Sequence, residues 1–191
     1  MRPLSLPGWS EATHEAPVGP CRRGLHPSRP QPIETQLENL NLLVRESAAF
    51  LEPELKDRDV LLDMDLDEKL PPMEADRGQL KQAFYNVIRN SLQAMKAGGF
   101  LRIRTGMDET HYFVSFADSG GGISAENMGR VFQPYFSTKA AGTGLGLLIV
   151  RRIVRAHGGE VAIESAEGKG LTLTIRIPRQ DRRVRFLEAG S

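Results

Sequence analysis

DRGQLKQAFYNVIRNSLQAM, residues 76–95, is the stretch whose reading decides the fold. Leu80, Phe84, Ile88, Leu92 and Met95 recur at three- and four-residue steps, so the spacing predicts one apolar side of a long helix. Asn86, Asn90 and Gln93 recur at the same steps on a different side. Asp76 suits the N-cap, and Gly98-Gly99 suits the stop. Asparagine is a poor helix former, because its side chain competes with the backbone for hydrogen bonds. Two of them one turn apart lower helix stability by on the order of 1 kcal/mol in sum. Taken alone, the strip suits a solvated polar face as well as a ligand. The rest of the chain decides between them.

The chain has 191 residues, room for one domain and an extension. Its 40% hydrophobic and 26% charged residues suit a soluble globular protein. A formal charge of +1 gives no electrostatic case for nucleic acid or a membrane surface. No apolar run approaches the ~18 residues of a spanning helix, and the N-terminus lacks the apolar core of a signal peptide. A single cysteine, Cys21, excludes an internal disulfide and a cysteine metal cluster. A cytoplasmic location is the expectation.

Residues 1–32 differ from the rest. Pro3, Pro7, Pro17, Pro20, Pro27, Pro30 and Pro32 fall there with no apolar period, which predicts a disordered or extended segment or linker. Asn39 to Phe50 has helical spacing, and Pro53 is expected to end that helix. Val60 to Leu66 is a strand candidate, and Leu70-Pro71-Pro72 breaks the chain. After the amide-bearing helix come strands at Phe100 to Thr105 and Tyr112 to Ala117. Leu101, Ile103 and Thr105 alternate with Arg102 and Arg104, so the first of these strands has one wet face. Residues 124–139 read as irregular. Leu147 to Ala156 is an apolar helix closed by Gly158-Gly159. Glu160 to Ser165 and Leu171 to Ile177 form a hairpin, and residues 179–191 a basic, flexible tail. The order predicts a two-layer α+β sandwich, with a mixed, mostly antiparallel sheet covered by helices on one face.

Asp118 stands at a strand end and is followed by Gly120 and Gly122. A carboxylate there accepts from an amino group, and glycines let backbone approach a flat ring. The same residues also suit an ordinary Asp-Gly turn. Thr143, Gly144, Leu145 and Gly146 precede a helix, where exposed N–H groups and the helix dipole favour phosphate. The pattern is neither the dinucleotide fingerprint nor a P-loop. A flexible hinge is the plain alternative.

The combination is specific. NVIRNSLQAM resembles the N box of sensor histidine kinases, DSGGGI their first glycine box, VFQPYFSTK their phenylalanine box, and GTGLGLLIVRRIVRAHGGEVAIES their second glycine box. Residues 33–178 thus resemble the ATP-binding catalytic domain of these kinases, of the nitrogen-regulation type. That domain shares the Bergerat fold with type II topoisomerase, Hsp90 and MutL ATPases. The resemblance implies ATP and Mg²⁺ as cofactors. It implies that Asn90 holds the Mg²⁺ with help from Asn86. Asp118 would accept from the adenine amine, with Gly120 and Gly122 allowing close approach. Thr143, Gly144, Leu145 and Gly146 would offer N–H groups to phosphate, with Lys139 a further phosphate candidate and residues 132–145 a lid. Two positions depart from the family. Gln93 stands where many relatives place a lysine, so one phosphate-neutralising charge is missing there or is replaced by Lys139. Leu171 stands where a threonine is frequent.

In the ATPase branch, a glutamate one turn before the Mg²⁺ asparagine activates water. Asn86 holds that position here, and an amide takes no proton. The resemblance therefore implies phosphoryl transfer to a histidine on another domain or chain, with a response regulator downstream. The helical hairpin that carries such a histidine is not visible in the sequence. His14, His26, His111 and His157 all sit in settings unlike it. An anti-sigma-type serine kinase and a non-catalytic ATP-sensing module are the alternatives. Without the hairpin, a monomer is expected.

Overall fold

The computed structural model describes residues 33–95, 98–136 and 144–179. A five-stranded sheet carries the fold. Its strands are β2 (Val60–Asp65), β4 (Gly99–Met107), β5 (His111–Asp118), β6 (Glu160–Ser165) and β7 (Leu171–Pro178), in the order β2-β4-β5-β7-β6. β2 pairs with β4 in parallel, and the other three pairings are antiparallel. The predicted mixed, mostly antiparallel sheet is therefore present. Helices α1 (Leu40–Phe50), α3 (Arg77–Ala94) and α5 (Gly146–Ala156) supply the apolar layer against one sheet face.

Helix α3 forms where its periodicity places it. The Asp76 carboxylate accepts from the Gln79 N–H at 3.0 Å, and the helix stops at Met95. Leu80, Phe84, Ile88 and Leu92 are fully buried, and so are Leu101, Ile103, Phe116, Leu173 and Ile175 on the strands. Phe84 meets Phe116 with ring centroids 5.8 Å apart. Truncating either ring to alanine removes about 3–5 kcal/mol, the usual cost of a buried aromatic. The opposite sheet face is wet, as the alternation in β4 requires. Arg102 pairs with Asp63 at 2.7 Å and Arg104 with Asp65 at 3.0 Å, each pair set opposite by the β2–β4 register.

Two local expectations are corrected, and one element is new. Pro53 does not end the first helix. α1 stops at Phe50, and Pro53 lies in the first turn of α2 (Glu52–Asp57), where a missing N–H removes no helical bond. A second, two-stranded sheet joins β1 (Gln36–Glu38) to β3 (Met73–Ala75). Three-residue strands are too short for alternation to reveal. Residues 124–139, read as irregular, contain the one-turn helix α4 (Ala125–Met128).

The start of α3 is anchored on several sides. Arg77 pairs with Glu38 at 2.8 Å and also bridges to Glu46 on α1, which Lys81 reaches at 2.9 Å. The Asp76 N–H donates to His157 Nε2 at 3.0 Å, and His157 Nδ1 lies 2.8 Å from the Ile153 carbonyl. His157 is thus a buried imidazole that ties the end of α5 to the start of α3. The sequence placed His157 at a helix end, and that is where it is. Among the described residues, no helix is long and apolar enough to cross a membrane.

Burial raises the Asp76 carboxyl, but N–H donors from Gln79 and Glu34 and the Gln79 amide more than offset this, and its pKa lies below the ordinary value. A depressed folded pKa contributes stability above the unfolded value of about 3.9, and that stability is lost as pH falls through the folded value. Asp76→Ala is therefore expected to cost about 1 kcal/mol at pH 7. The gap in melting temperature between wild type and variant should close as pH falls below about 4. An equal gap at pH 7 and pH 3 would contradict this account of the cap.

Candidate functional site

A cavity of about 370 Å³ opens between α3, α5 and the ends of β5 and β7. Asn86 and Asn90 line it from α3, Asp118 from the end of β5, and Gly122 from the loop that follows. Gly144, Leu145 and Gly146 line it from the start of α5. Residues that sit in three separate motifs of the sequence thus share one cleft. Lys139 and Thr143 lie outside the described residues.

The amide strip faces the cleft because the apolar stripe of α3 faces the sheet. Asn86 Nδ2 donates to the Gln82 carbonyl at 2.9 Å. The Asn90 carboxamide lies directly against Gly146. A Cβ built on Gly146 would come 3.1 Å from Asn90 Nδ2 and 3.3 Å from Oδ1. That spacing is tighter than ordinary contact, so the first residue of α5 has to be small for the asparagine to keep its place.

Asp118 is 6% exposed, and at such burial a carboxylate needs donors. The Gly120 N–H supplies one, 3.0 Å from Oδ1. Gly120 is not part of the cavity wall. It packs on the end of α3, where a Cβ would sit 2.9 Å from both the Cβ and the carbonyl oxygen of Ala94. Gly120 thereby fixes Asp118 rather than clearing space beside it. Leu171 stands directly opposite Asp118 in the β5–β7 ladder and also lines the cavity.

The β6–β7 turn grips the loop after Asp118, a feature that the sequence did not signal. The Gly168 N–H donates to the Gly121 carbonyl at 2.7 Å, and the Ile123 N–H to Ser165 Oγ at 2.9 Å. Gly122 has φ +66°, and a Cβ on it would meet the Ala166 carbonyl oxygen at 2.0 Å. Gly170 has φ +80° and lies equally close to the Asp118 carbonyl. The two loops touch backbone to backbone, and only residues without a Cβ allow it.

On the far side, Val131 and Phe136 add apolar wall. Arg130 stacks over Phe136 at 4.6 Å, and Arg151 of α5 over Phe132 at 5.1 Å. Tyr135, between them, has φ +62° and is 80% exposed, a left-handed conformation that costs a non-glycine residue about 1 kcal/mol or more. Gly144 lies against its backbone, where a Cβ would come 2.4 Å from the Tyr135 carbonyl carbon. The sequence marked this segment as the phenylalanine box and part of a lid but singled out none of these residues as wall, and residues 137–143 of that lid lie outside the described residues. The cleft suits a flat apolar body with an amino group at one end. Asp118 is the acid in the lining, among the described residues.

Gly122→Ala is expected to lower stability by more than about 2 kcal/mol through its positive φ and backbone overlap. Gly121→Ala should leave it unchanged, because a Cβ there meets nothing within 4 Å. Thermal unfolding of both variants measures the contrast, and equal melting temperatures would contradict the clamp.

Residues 75–181 match the family described as histidine kinase-, DNA gyrase B-, and HSP90-like ATPase. The sensor histidine kinase ZraS of Escherichia coli (strain K12) is 35% identical over 78% of this chain and 32% of its own length. The signal transduction histidine-protein kinase AtoS of the same strain is 38% identical over 79% of this chain and 25% of its own length. The chain spans about a third of the length of the first and a quarter of the second. It covers 97% of the solved catalytic domain of the histidine kinase ThkA, in nucleotide-free form, with 33% identity, a TM-score of 0.71 and 77% of this chain aligned. ThkA has also been solved in complex with the response regulator protein TrrA; that structure is 29% identical, with a TM-score of 0.68, over 78% of this chain and 42% of the ThkA chain. The fold, the cleft and these matches agree: the chain belongs to the histidine kinase-, DNA gyrase B-, and HSP90-like ATPase family, and carries its ATP-binding catalytic domain in the histidine-kinase form.

Proposed function

We propose that residues 33–178 act as the catalytic domain of a two-component sensor histidine kinase that binds ATP with Mg²⁺. The γ-phosphoryl group would pass to a histidine supplied by another domain or chain. The observation that carries this reading is the single cleft in which Asn90, Asp118 and Gly144 meet. Asp118 is assigned the adenine amine. A buried carboxylate oxygen accepts there, and guanine, with a carbonyl at that position, would be repelled. Leu171, Leu173 and Ile123 supply apolar wall for the ring. The backbone N–H groups of Gly144 to Gly146 are assigned to phosphate, at the positive end of the α5 dipole.

Magnesium fits the residues present. Asn90 offers one hard amide oxygen at the cleft, and no cluster of three metal-binding side chains exists among the described residues. Mg²⁺ takes few protein ligands and keeps several waters, so phosphate oxygens would complete its shell. When bound, the ion would neutralise triphosphate charge. Asn90 and Asn86 are the side chains assigned to hold and orient it.

Transfer rather than hydrolysis is supported by what the cleft contains. The lining acid among the described residues is Asp118, buried at the end assigned to the base and occupied by the Gly120 N–H. The Asn86 amide cannot take a proton from water. In transfer, an imidazole nitrogen of the acceptor attacks the γ-phosphorus as its bond to the β–γ bridging oxygen breaks, and ADP leaves. Positioning and charge neutralisation account for most of the catalysis. His157 is committed to the α3–α5 tie, and His111 holds Thr110 at 2.8 Å beside a turn, so neither is assigned as acceptor. The ThkA complex supports a response regulator as the downstream partner.

Calorimetry with ATP tests the site. Asp118→Ala should weaken ATP binding by about a hundredfold or more, as loss of a buried charged acceptor does. Asn90→Ala should mainly remove the Mg²⁺-dependent part of the affinity. Equal affinity in all three proteins would overturn the assignment. Incubation with labelled ATP and a hairpin-bearing histidine partner should give an acid-labile label on that partner; an acid-stable label would point to a serine acceptor instead.

A further inference from the structure

The cleft lacks a lysine at position 93, where Gln93 lines its wall. The negative charge of a triphosphate favours a cation beside it. Arg89 also lines the cavity, from the same helix. It stands three residues after Asn86 and four before Gln93, so the three side chains are neighbours on the surface of α3. Asp118 lies at the other end. Gly120 packs on Ala94, five residues further along α3, or about 7–8 Å along its axis. The lining is therefore polarised, with its acid near Ala94 and its cation near Asn86.

Arg89 differs from six of the other arginines and shares its setting, a cation held against an aromatic ring, with Arg130 and Arg151. Arg45, Arg58, Arg77, Arg102, Arg104 and Arg176 each pair with a carboxylate. Among the described residues, no carboxylate pairs with Arg89. Its guanidinium lies 5.9 Å from the centre of the Tyr85 ring, and that ring stands edge-on to Phe50, with centroids 5.6 Å apart. The aromatic contacts orient the cation without neutralising it. A guanidinium fork matches phosphate oxygens in pairs, which an ammonium does not.

We propose that Arg89 is a phosphate-binding cation of this cleft, supplying from the preceding turn of α3 the charge that position 93 lacks. The proposal rests on the nucleotide reading above. It also fixes the ligand's direction, with the base toward Asp118 and the phosphates toward Arg89.

Calorimetric titration of the full chain with ATP and Mg²⁺, and separately with adenosine, tests it. Arg89→Ala should weaken ATP binding about tenfold and leave adenosine binding unchanged. Arg89→Lys should recover part of the loss. The dependence of ATP affinity on salt should also become shallower in Arg89→Ala. Unchanged ATP affinity in Arg89→Ala would overturn the proposal, as would an equal loss for ATP and adenosine, which marks a structural role. If the wild type binds neither probe, the nucleotide reading itself fails and this proposal with it. If Asp118→Ala loses adenosine while Arg89→Ala binds ATP normally, only the proposal about Arg89 fails.

Discussion

The structure depends on how closely α5 can approach α3. Gly146 rests on the Asn90 carboxamide, where a further carbon would come 3.1 Å from Nδ2 and push the amide back by a few tenths of an ångström. An apolar stripe on each helix is already committed to the sheet, so the gap between the start of α5 and the last turns of α3 is set by the small groups that meet there. Glycine against amide puts the N–H groups at the start of α5 and the oxygen of Asn90 on one wall of one cleft. At the far ends of the same helices, His157 links α5 to the residue before α3. The spacing of the two helices is thus fixed at both ends, one by contact and the other by a directional bond.

The base of the cleft is held differently. Asp118 stays buried at the tip of β5 because its neighbours satisfy it locally and the β6–β7 turn closes over the loop behind it. A strand tip that carries an acid would otherwise draw water. Backbone contacts at Gly122 and Gly170 exclude that option by geometry rather than by apolar cover. The result is a cleft with one rigid floor and one wall made by the 130–136 segment, where Tyr135 carries local strain.

Much of this was legible in the residues. Leu80 to Leu92 fixed which side of α3 faces the sheet, and by exclusion which side Asn86 and Asn90 present. The alternation of Leu101 and Ile103 with Arg102 and Arg104 marked the wet face. Other features were not legible. The role of Gly120 depends on its distance from Ala94, which no local pattern encodes. The β6–β7 turn reads as a common hairpin turn, because its contacts lie more than forty residues away in sequence. Pro53 obeyed a rule about helix starts where a rule about helix ends was applied. Strands of three residues carry too few positions for a period to form. The position of Arg89 at the cleft became visible only once the helix had a neighbour on that side.

Hairpin turns on a protein surface are ordinarily where chains accept inserted residues and new sequences. The turn from Ala166 to Gly170 is an exception, because it serves as the backing plate of a loop that carries a buried acid. Lengthening it would leave both strands paired and the core intact, yet would free the segment behind Asp118. Variation in this turn is therefore tied to variation in the loop from Ser119 to Ile123, and the two have to change together or not at all.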